Sequence, residues 1–275
     1  MDIQEFLKLV YNEDIGRGDL FERIVQEDFE VKALIKAKSN GVLSGILYAQ
    51  ELCKMFDIGM KKFKNDGDAF EKNDGLLELS GSYVKLLKLE RCILNILQHS
   101  SGIATLTRSY VEVLKSHKVE LLDTRKTRPL LRNFEKYSVR NGGGRNHRLG
   151  LDDALMLKDT HLKYIPHSEL KQWIFRARKQ MPWTSKIEIE SESVEFAKIA
   201  MDSGADIVMC DNMDLDSIKQ VVQYRNEYYP FVLIEASGDI TKEKLLEYAN
   251  TGVDAISSGA LIHKAVWIDM NMKVL

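Results

Sequence analysis

The 275-residue chain is poor in cysteine, in net charge and in long apolar runs. Its three cysteines, Cys53, Cys92 and Cys210, form no close pair, so no zinc motif is available. An odd count with no secretory leader points to a reducing cytosol. The first residues, Met1-Asp2-Ile3-Gln4-Glu5, are acidic and lack the apolar core of a signal peptide. Net charge is −2, so no global field draws the chain to nucleic acid or to a membrane surface. Anion recognition, if present, must be local. No run reaches the roughly 18 apolar residues of a membrane span. Solenoid repeats and low-complexity tracts are also missing. What remains is ordinary globular material, 44% hydrophobic and 29% charged, in a length that suits one large domain or two smaller ones.

The first ninety residues read as mixed α and β. Glu5–Tyr11 is a short apolar-rich helix, and Asn12–Asp19 reads as a loop around Gly16 and Gly18. Glu30–Lys38 alternates, with Val31, Ala33, Ile35 and Ala37 on one side, the period of a strand. Asn40-Gly41, Asp66-Gly67-Asp68 and Asn73-Asp74-Gly75 are turn signals. Ala49–Met55 is helical and Leu76–Leu79 is a strand candidate. From Leu86 to Leu114 an apolar stripe at three- and four-residue spacing predicts helix, interrupted at Ser100-Ser101-Gly102.

A recurring unit follows, in which a short apolar run ends in a polar residue and a helical stretch comes next. The runs are Val119–Leu122, Ala154–Leu157, Ile187–Ile189, Ile207–Cys210, Val232–Glu235 and Ala255–Ile256. The last four begin about 20 to 25 residues apart, the length of one βα unit. Such alternation implies a parallel sheet covered on both faces. Closure into a barrel would gather Arg125, Lys126, Lys158, Glu190, Asp211 and Ser237 at the C-terminal strand ends, where barrel active sites lie. An open doubly wound sheet satisfies the same period.

The segment from Arg125 to Arg148 carries eight Lys or Arg, with Glu135 as the opposing charge. Arginine forks match carboxylate and phosphate; a solvated helix face is the plainer reading of such a run. Arg128, Arg132 and Lys136 fall to that plainer reading, on a helix surface. The two ends of the segment follow a strand and three glycines, which favours function. Gly142-Gly143-Gly144 would let backbone N–H groups approach an anion, or would serve as a hinge. Lys158 suits a Schiff base or a fixed cation. Glu190 and Asp211, at successive strand ends, suit magnesium or a salt bridge to the basic segment. Glu188 shares the face of Glu190 and, pointing inward, needs a partner. Ser237-Gly238 and Ser258-Gly259 follow the last two strands, where barrels often bind phosphate.

These motifs resemble one family. Asp123-Thr124-Arg125-Lys126-Thr127 and Asn141-Gly142-Gly143-Gly144-Arg145-Asn146-His147-Arg148 are similar to the signature of the quinolinate phosphoribosyltransferases. Glu13-Asp14-Ile15-Gly16-Arg17-Gly18-Asp19, Glu90-Arg91, Leu94-Asn95 and Ser101–Thr105 look like the family too, as do Gly204-Ala205-Asp206, Asp211-Asn212-Met213, Glu235–Gly238 and Gly252-Val253-Asp254. The resemblance spans almost the whole chain. It implies the α/β type II phosphoribosyltransferase fold: an N-terminal α/β sandwich domain over residues 1–100, rejoined by the tail 262–275, and an incomplete TIM-like α/β barrel over 101–261. It implies the joining of quinolinate to 5-phosphoribosyl 1-diphosphate with loss of carbon dioxide and diphosphate, giving nicotinate mononucleotide for NAD synthesis in the cytoplasm. Arg125, His147, Arg148 and Lys158 would hold the quinolinate carboxylates. Lys126 would contact the phosphoribosyl donor, and Glu190 and Asp211 the ribose and magnesium. Lys126, Lys158, Glu190 and Asp211 form the implied catalytic set. Ser237, Gly238 and Gly259 would cradle the 5-phosphate, with Asp239, Ser258 and Ala260 in the same loops and Thr124 beside Arg125. Arg91 would enter a neighbouring subunit's site, which implies a homodimer or a larger homo-oligomer.

Three positions depart from the family pattern: Asp239 where a second glycine is usual, Phe21 where threonine is common, and Arg145 where many members have glutamate. Rival readings are a related protein of molybdenum transport, an aldolase-like Schiff-base barrel and a non-catalytic phosphate sensor.

Overall fold

The structure is a computed structural model that describes residues 2–275, and the chain divides into two compact units. The first contains residues up to Arg108, then Arg128–Gly143 and Lys264–Leu275; the second contains Ser109–Thr127 and Gly144–His263. Among the described residues no helix is long and apolar enough to cross a membrane.

The first unit begins with α1 (Ile3–Ile15), whose first turn is capped by the Asp2 carboxylate accepting from the Glu5 N–H at 2.7 Å. The helix runs on through Asn12–Ile15, which the sequence suggested as loop, because nothing breaks it before Gly16 at φ 52°. Then come β1 (Glu30–Ala37), β2 (Gly41–Val42), α2 (Ile46–Met55), β3 (Gly59–Lys62), β4 (Ala69–Phe70) and β5 (Gly75–Ser82). In β1, Ala33, Ile35 and Ala37 are buried while Lys32 and Lys36 are exposed, as the alternation requires. The C-terminal strand Met270–Val274 pairs antiparallel with β1, and the four-stranded sheet runs in the order C-terminal strand, β1, β5, β3.

Helix α3 (Tyr83–Leu114) is continuous, so the expected interruption at Ser100-Ser101-Gly102 is corrected. The small residues serve close packing. Ser100 Oγ donates to Ser44 Oγ at 2.7 Å, and Ser101 Oγ donates to the Ser44 carbonyl at 3.2 Å. A Cβ on Gly102 would lie 2.3 Å from the Val266 carbonyl oxygen.

After β6 (Glu120–Leu122) the chain returns to the first unit as α4 (Arg132–Asn141). The first compact unit thus takes in α4 in addition to the N-terminal residues and the tail, and the cause is aromatic. Phe134 stacks on Phe6 at 5.6 Å, and Tyr137 meets Tyr48 at 5.2 Å. Lys136 is fully buried, which corrects its expected place on a helix surface. Glu135 is also buried, and it accepts from Arg128 Nη1 at 2.5 Å and pairs with His99 Nε2 at 3.2 Å.

The second unit holds a six-stranded parallel sheet. Its remaining strands are β7 (Leu155–Leu157), β8 (Ile187–Ser191), β9 (Ile207–Asp211), β10 (Leu233–Ser237) and β11 (Ala255–Ser257), in the order β6-β11-β10-β9-β8-β7. The helices between them are α5 (Asp159–Leu162), α6 (Leu170–Gln180), α7 (Val194–Asp202), α8 (Leu215–Tyr228) and α9 (Leu245–Ala249), with α10 (Ala260–His263) after β11. Among the described residues no ladder joins β6 to β7, so the barrel is incomplete. The register sets Ser237 beside Asp211, Glu190 beside Met209 and Ser257 beside Leu122, which brings the C-terminal strand ends to one level.

Candidate active site

Side chains two residues apart on a strand share a face. Glu190, Asp211 and Ser237 end β8, β9 and β10, and Glu188, Met209 and Glu235 lie two residues earlier on the same faces. The upper set opens into a cavity of about 350 Å³. Its walls are Thr124, Arg125 and Lys126 after β6, His147 and Arg148, Met156 and Lys158 of and after β7, Glu190, Met209, Asp211, Ser237 and Ser257. The sequence motifs scattered over more than a hundred residues thus meet in one place.

A short segment beside β6 delivers His147 and Arg148. Arg145 N–H donates to the Leu121 carbonyl at 2.8 Å, and Asp123 N–H donates to the Arg145 carbonyl at 3.1 Å. Fully buried Asp123 then accepts from the His147 N–H at 2.9 Å and from Asn146 Nδ2 at 2.6 Å. Arg145 itself is exposed and pairs with Glu120 at 3.0 Å, outside the cavity. Two of the three glycines before it are spent on helix closure and close packing. The Gly142 and Gly143 N–H groups close the end of α4, and a Cβ on Gly142 would lie 2.5 Å from Thr107 Cβ.

The cavity's electrostatics are two-sided. Arg148 donates to the Ala154 carbonyl at 3.0 Å and to Met156 Sδ at 3.6 Å. Burial, and then the charge of Arg125, lower its proton affinity, so two cations face one space. Opposite them, Lys158 forms an ion pair with Glu190, and Asp211 accepts from Asn212 Nδ2 at 2.9 Å. Oxygen donors of this kind suit a hard cation.

Beneath the cavity floor lies an inner cluster. His147 Nε2 is 3.0 Å from Glu188 Oε2 and 3.3 Å from Glu235 Oε2, and both carboxyl groups are buried. Burial alone would lower the imidazole's proton affinity, but the two carboxylates outweigh it and push it up to about 10. Burial pushes the Glu188 carboxyl upward. At the other ring nitrogen, Nδ1 accepts the Arg148 N–H at 2.7 Å. The two carboxylates favour a second ring proton, but Nδ1 cannot take it while it accepts the Arg148 N–H; that bond, fixed by the backbone, decides for one ring proton, on Nε2. Both ring nitrogens are engaged by the protein, and His147 stands in the wall without offering a free nitrogen to a substrate carboxylate.

The remaining expected positions divide. Gly238, Asp239, Ser258 and Gly259 lie in the loops after β10 and β11, and Ala260 begins α10, but none of them walls the cavity. Gly238 is required by its backbone, at φ +117° with Asn212 Oδ1 2.4 Å from where a Cβ would stand. Asp239 is exposed, and Ser258 is buried, its hydroxyl accepting from the Ala260 N–H at 3.3 Å. Ser257 is the serine in the wall, with its hydroxyl 3.1 Å from Ser237 Oγ. Arg91 is exposed on α3 in the first unit. Met156, Met209, Ser257 and the roles of Asp123 and Glu235 were not singled out from the sequence. Strand alternation counted back from Glu190, Asp211 and Ser237 is the signal that finds Met209 and Glu235.

Comparison with known proteins agrees along the whole chain. Residues 19–101 match the quinolinate phosphoribosyl transferase N-terminal domain, and residues 103–273 match the C-terminal domain. A probable nicotinate-nucleotide pyrophosphorylase [carboxylating] of Synechocystis is 36% identical over 99% of this chain and 92% of that protein. The corresponding Bacillus subtilis protein is 37% identical over 100% of this chain and 94% of its own length. The crystal structure of NadC from Streptococcus pyogenes superposes with a TM-score of 0.92 at 38% identity, covering 99% of this chain and 96% of that one. The chain belongs to the quinolinate phosphoribosyltransferase family, with that family's N-terminal domain and C-terminal barrel.

Proposed function

We propose that the chain joins quinolinate to 5-phosphoribosyl 1-diphosphate, yielding nicotinate mononucleotide, carbon dioxide and diphosphate, a step of NAD biosynthesis. The observation that carries this reading is the charge division of one cavity: Arg125, Lys126, Arg148 and Lys158 against Glu190 and Asp211. The arginine forks and Lys158 suit the two carboxylates of a pyridine ring. Lys126 suits the donor, and the acidic pair suits the ribose hydroxyls.

Held in this way, the ring nitrogen faces the ribose C1. The new bond forms as diphosphate leaves, and positioned charge lowers the barrier with no nucleophilic side chain. Ring attachment makes the nitrogen cationic, which stabilises the electron pair left on C2 when that carboxylate departs as carbon dioxide, and a proton from solvent then completes the C2–H bond of the product. Lys158 acts by charge and position, not through an imine: it meets Glu190 as half of an ion pair, the arrangement of a fixed cation. Quinolinate would then exchange one carboxylate partner of Lys158 for another.

The oxygen-only donors Glu190 and Asp211 fit magnesium, which takes one or two carboxylates together with water and phosphate oxygens. Held by Glu190 and Asp211 together with the donor, magnesium would supply positive charge to offset that of the diphosphate. We assign the 5-phosphate to Ser237 and to the backbone of Gly238 and Gly259, with Ser258 and Ala260 shaping the second loop; the exposure of Asp239 supports a side chain turned to solvent. We also infer a homodimer or larger homo-oligomer in which Arg91 of a second copy reaches the quinolinate site, consistent with its exposure. The free, buried thiols of Cys53, Cys92 and Cys210 fit a cytoplasmic setting.

The test is a direct assay with quinolinate, the diphosphate donor and magnesium. We expect carbon dioxide and nicotinate mononucleotide in equal amounts, and neither without the donor or after chelation of magnesium. Turnover of nicotinate with none of quinolinate would overturn the substrate assignment.

A further inference from the structure

The cluster under the cavity floor is not accounted for by substrate binding. Glu188 is 1% exposed and Glu235 is 2% exposed, on strands whose neighbouring Ile187, Ile189, Ile234 and Ala236 are fully buried. Carboxylates in such a place are costly, and apolar residues of like volume usually serve stability as well or better. Their retention calls for a task. Glu235 Oε1 is buried with no hydrogen-bond partner, so part of this acceptor capacity is left unused by the fold.

What the two carboxyl groups share is a single nitrogen. Both lie within 3.3 Å of His147 Nε2. The opposite nitrogen, Nδ1, receives the Arg148 N–H at 2.7 Å. A peptide N–H can only donate, so Nδ1 must present its lone pair, and the ring proton of the neutral imidazole must sit on Nε2. The ring is thus held from both sides, with its tautomer selected by its partners. His147, Glu188 and Glu235 also have the spacing of three metal ligands, their donor atoms lying within 4.8 Å of one another. A proton on Nε2 leaves that nitrogen no lone pair for a cation, which argues for a hydrogen-bonded cluster.

Arg148 is the next residue, and its guanidinium lines the cavity. Its peptide is tied to the ring at Nδ1, and the far side of the same segment is tied to Asp123. Turning the imidazole would release the Arg148 peptide. We propose that Glu188 and Glu235 are positioning residues that lock the His147 tautomer and, through the His147–Arg148 hydrogen bond, fix Arg148 for the pyridine dicarboxylate. The proposal rests on the reading of the cavity as the quinolinate site. Which ring nitrogen of a histidine carries the proton is commonly set by the partner of the other.

Two double variants separate hydrogen bonding from charge. Glu188→Gln with Glu235→Gln keeps acceptor oxygens, and Glu188→Leu with Glu235→Leu removes them. We expect the leucine pair to raise the KM for quinolinate by about tenfold or more, with the KM for the phosphoribosyl donor within about threefold of wild type. The glutamine pair should stay within about threefold for both substrates. An unchanged quinolinate KM in the leucine pair overturns the proposal, and so does equal impairment of the glutamine and leucine pairs. A 15N–1H correlation spectrum of histidine-labelled wild-type protein provides a readout without turnover. The signal lost in His147→Gln should show a protonated Nε2 and an unprotonated Nδ1, and a proton on Nδ1 refutes the lock even if the leucine pair fails to fold. Should wild-type protein fail to consume quinolinate, the functional reading falls, and the spectrum still decides the tautomer.

Discussion

Arg148 is held by what surrounds it as much as by its own charge. Its fork donates to a carbonyl and to a thioether while facing Arg125 across the cavity. A lysine can supply the charge but not two directed N–H bonds on one plane. Arg148→Lys should therefore lower kcat/KM for quinolinate by about 10- to 100-fold, roughly 1.4 to 2.8 kcal/mol, with little change in melting temperature; steady-state kinetics and a thermal melt check both halves. Glu135 illustrates charge in a structural role. Burial alone would raise its carboxyl, but bonds from His99 and Arg128 outweigh burial and hold it below the ordinary carboxylate range. A carboxyl depressed in the folded state contributes stability in full above its unfolded pKa and loses it as pH falls through the folded one. Glu135→Gln should cost about 2 to 4 kcal/mol at pH 7, and the gap from wild type should close in acid, as read by urea unfolding at a series of pH values.

Among the elements, α3 shows how a weak local signal yields to packing. Serines and a glycine in its middle lower helix propensity, yet the helix continues because those side chains are small enough for Ser44 and the Val266 backbone to approach. Gly102→Val should clash with the Val266 carbonyl and lower stability by about 2 kcal/mol or more, measured by chemical denaturation. A variant as stable as wild type would mean that the strand-bound tail yields instead. In the barrel, β8 has the opposite character. Ile187 and Ile189 fill the space on one face while Glu188 and Glu190 carry polar work on the other, all of them buried. Alternation alone places both glutamates on a common face, and the two levels they occupy become distinct only when neighbouring strands set the register.

For the first unit as a whole, strands more than 230 residues apart in sequence are joined in one sheet. The C-terminal strand Met270–Val274 covers the edge of β1 over five paired positions. Ending the chain at Asp269 should expose that edge and the buried side chains of Ala33 and Ile35, giving a less stable and aggregation-prone product; size-exclusion chromatography and a thermal melt would show it, and a monodisperse product with wild-type stability would contradict it.

Much of this architecture was legible in the residues. The six apolar runs became the six parallel strands because a covered strand needs continuous apolar character and a polar end. Arg125, Lys126, Lys158, Glu190, Asp211 and Ser237 meet in one cavity because strand ends in a parallel barrel share a level. Local composition could not tell which stretch of the basic segment turns inward. Lys136 is buried because α4 packs its aromatic side chains into the first unit, a long-range preference that no short window contains. Nor could it distinguish Ser257 from Ser258 at a strand end, where a shift of one residue reverses the face. The order of residue types along the chain thus determined the elements and the chemistry available to them, through periodicity and strand-end placement. Tertiary structure alone decided that Glu188 and Glu235 converge on His147, because their partnership depends on the register between strands far apart in sequence.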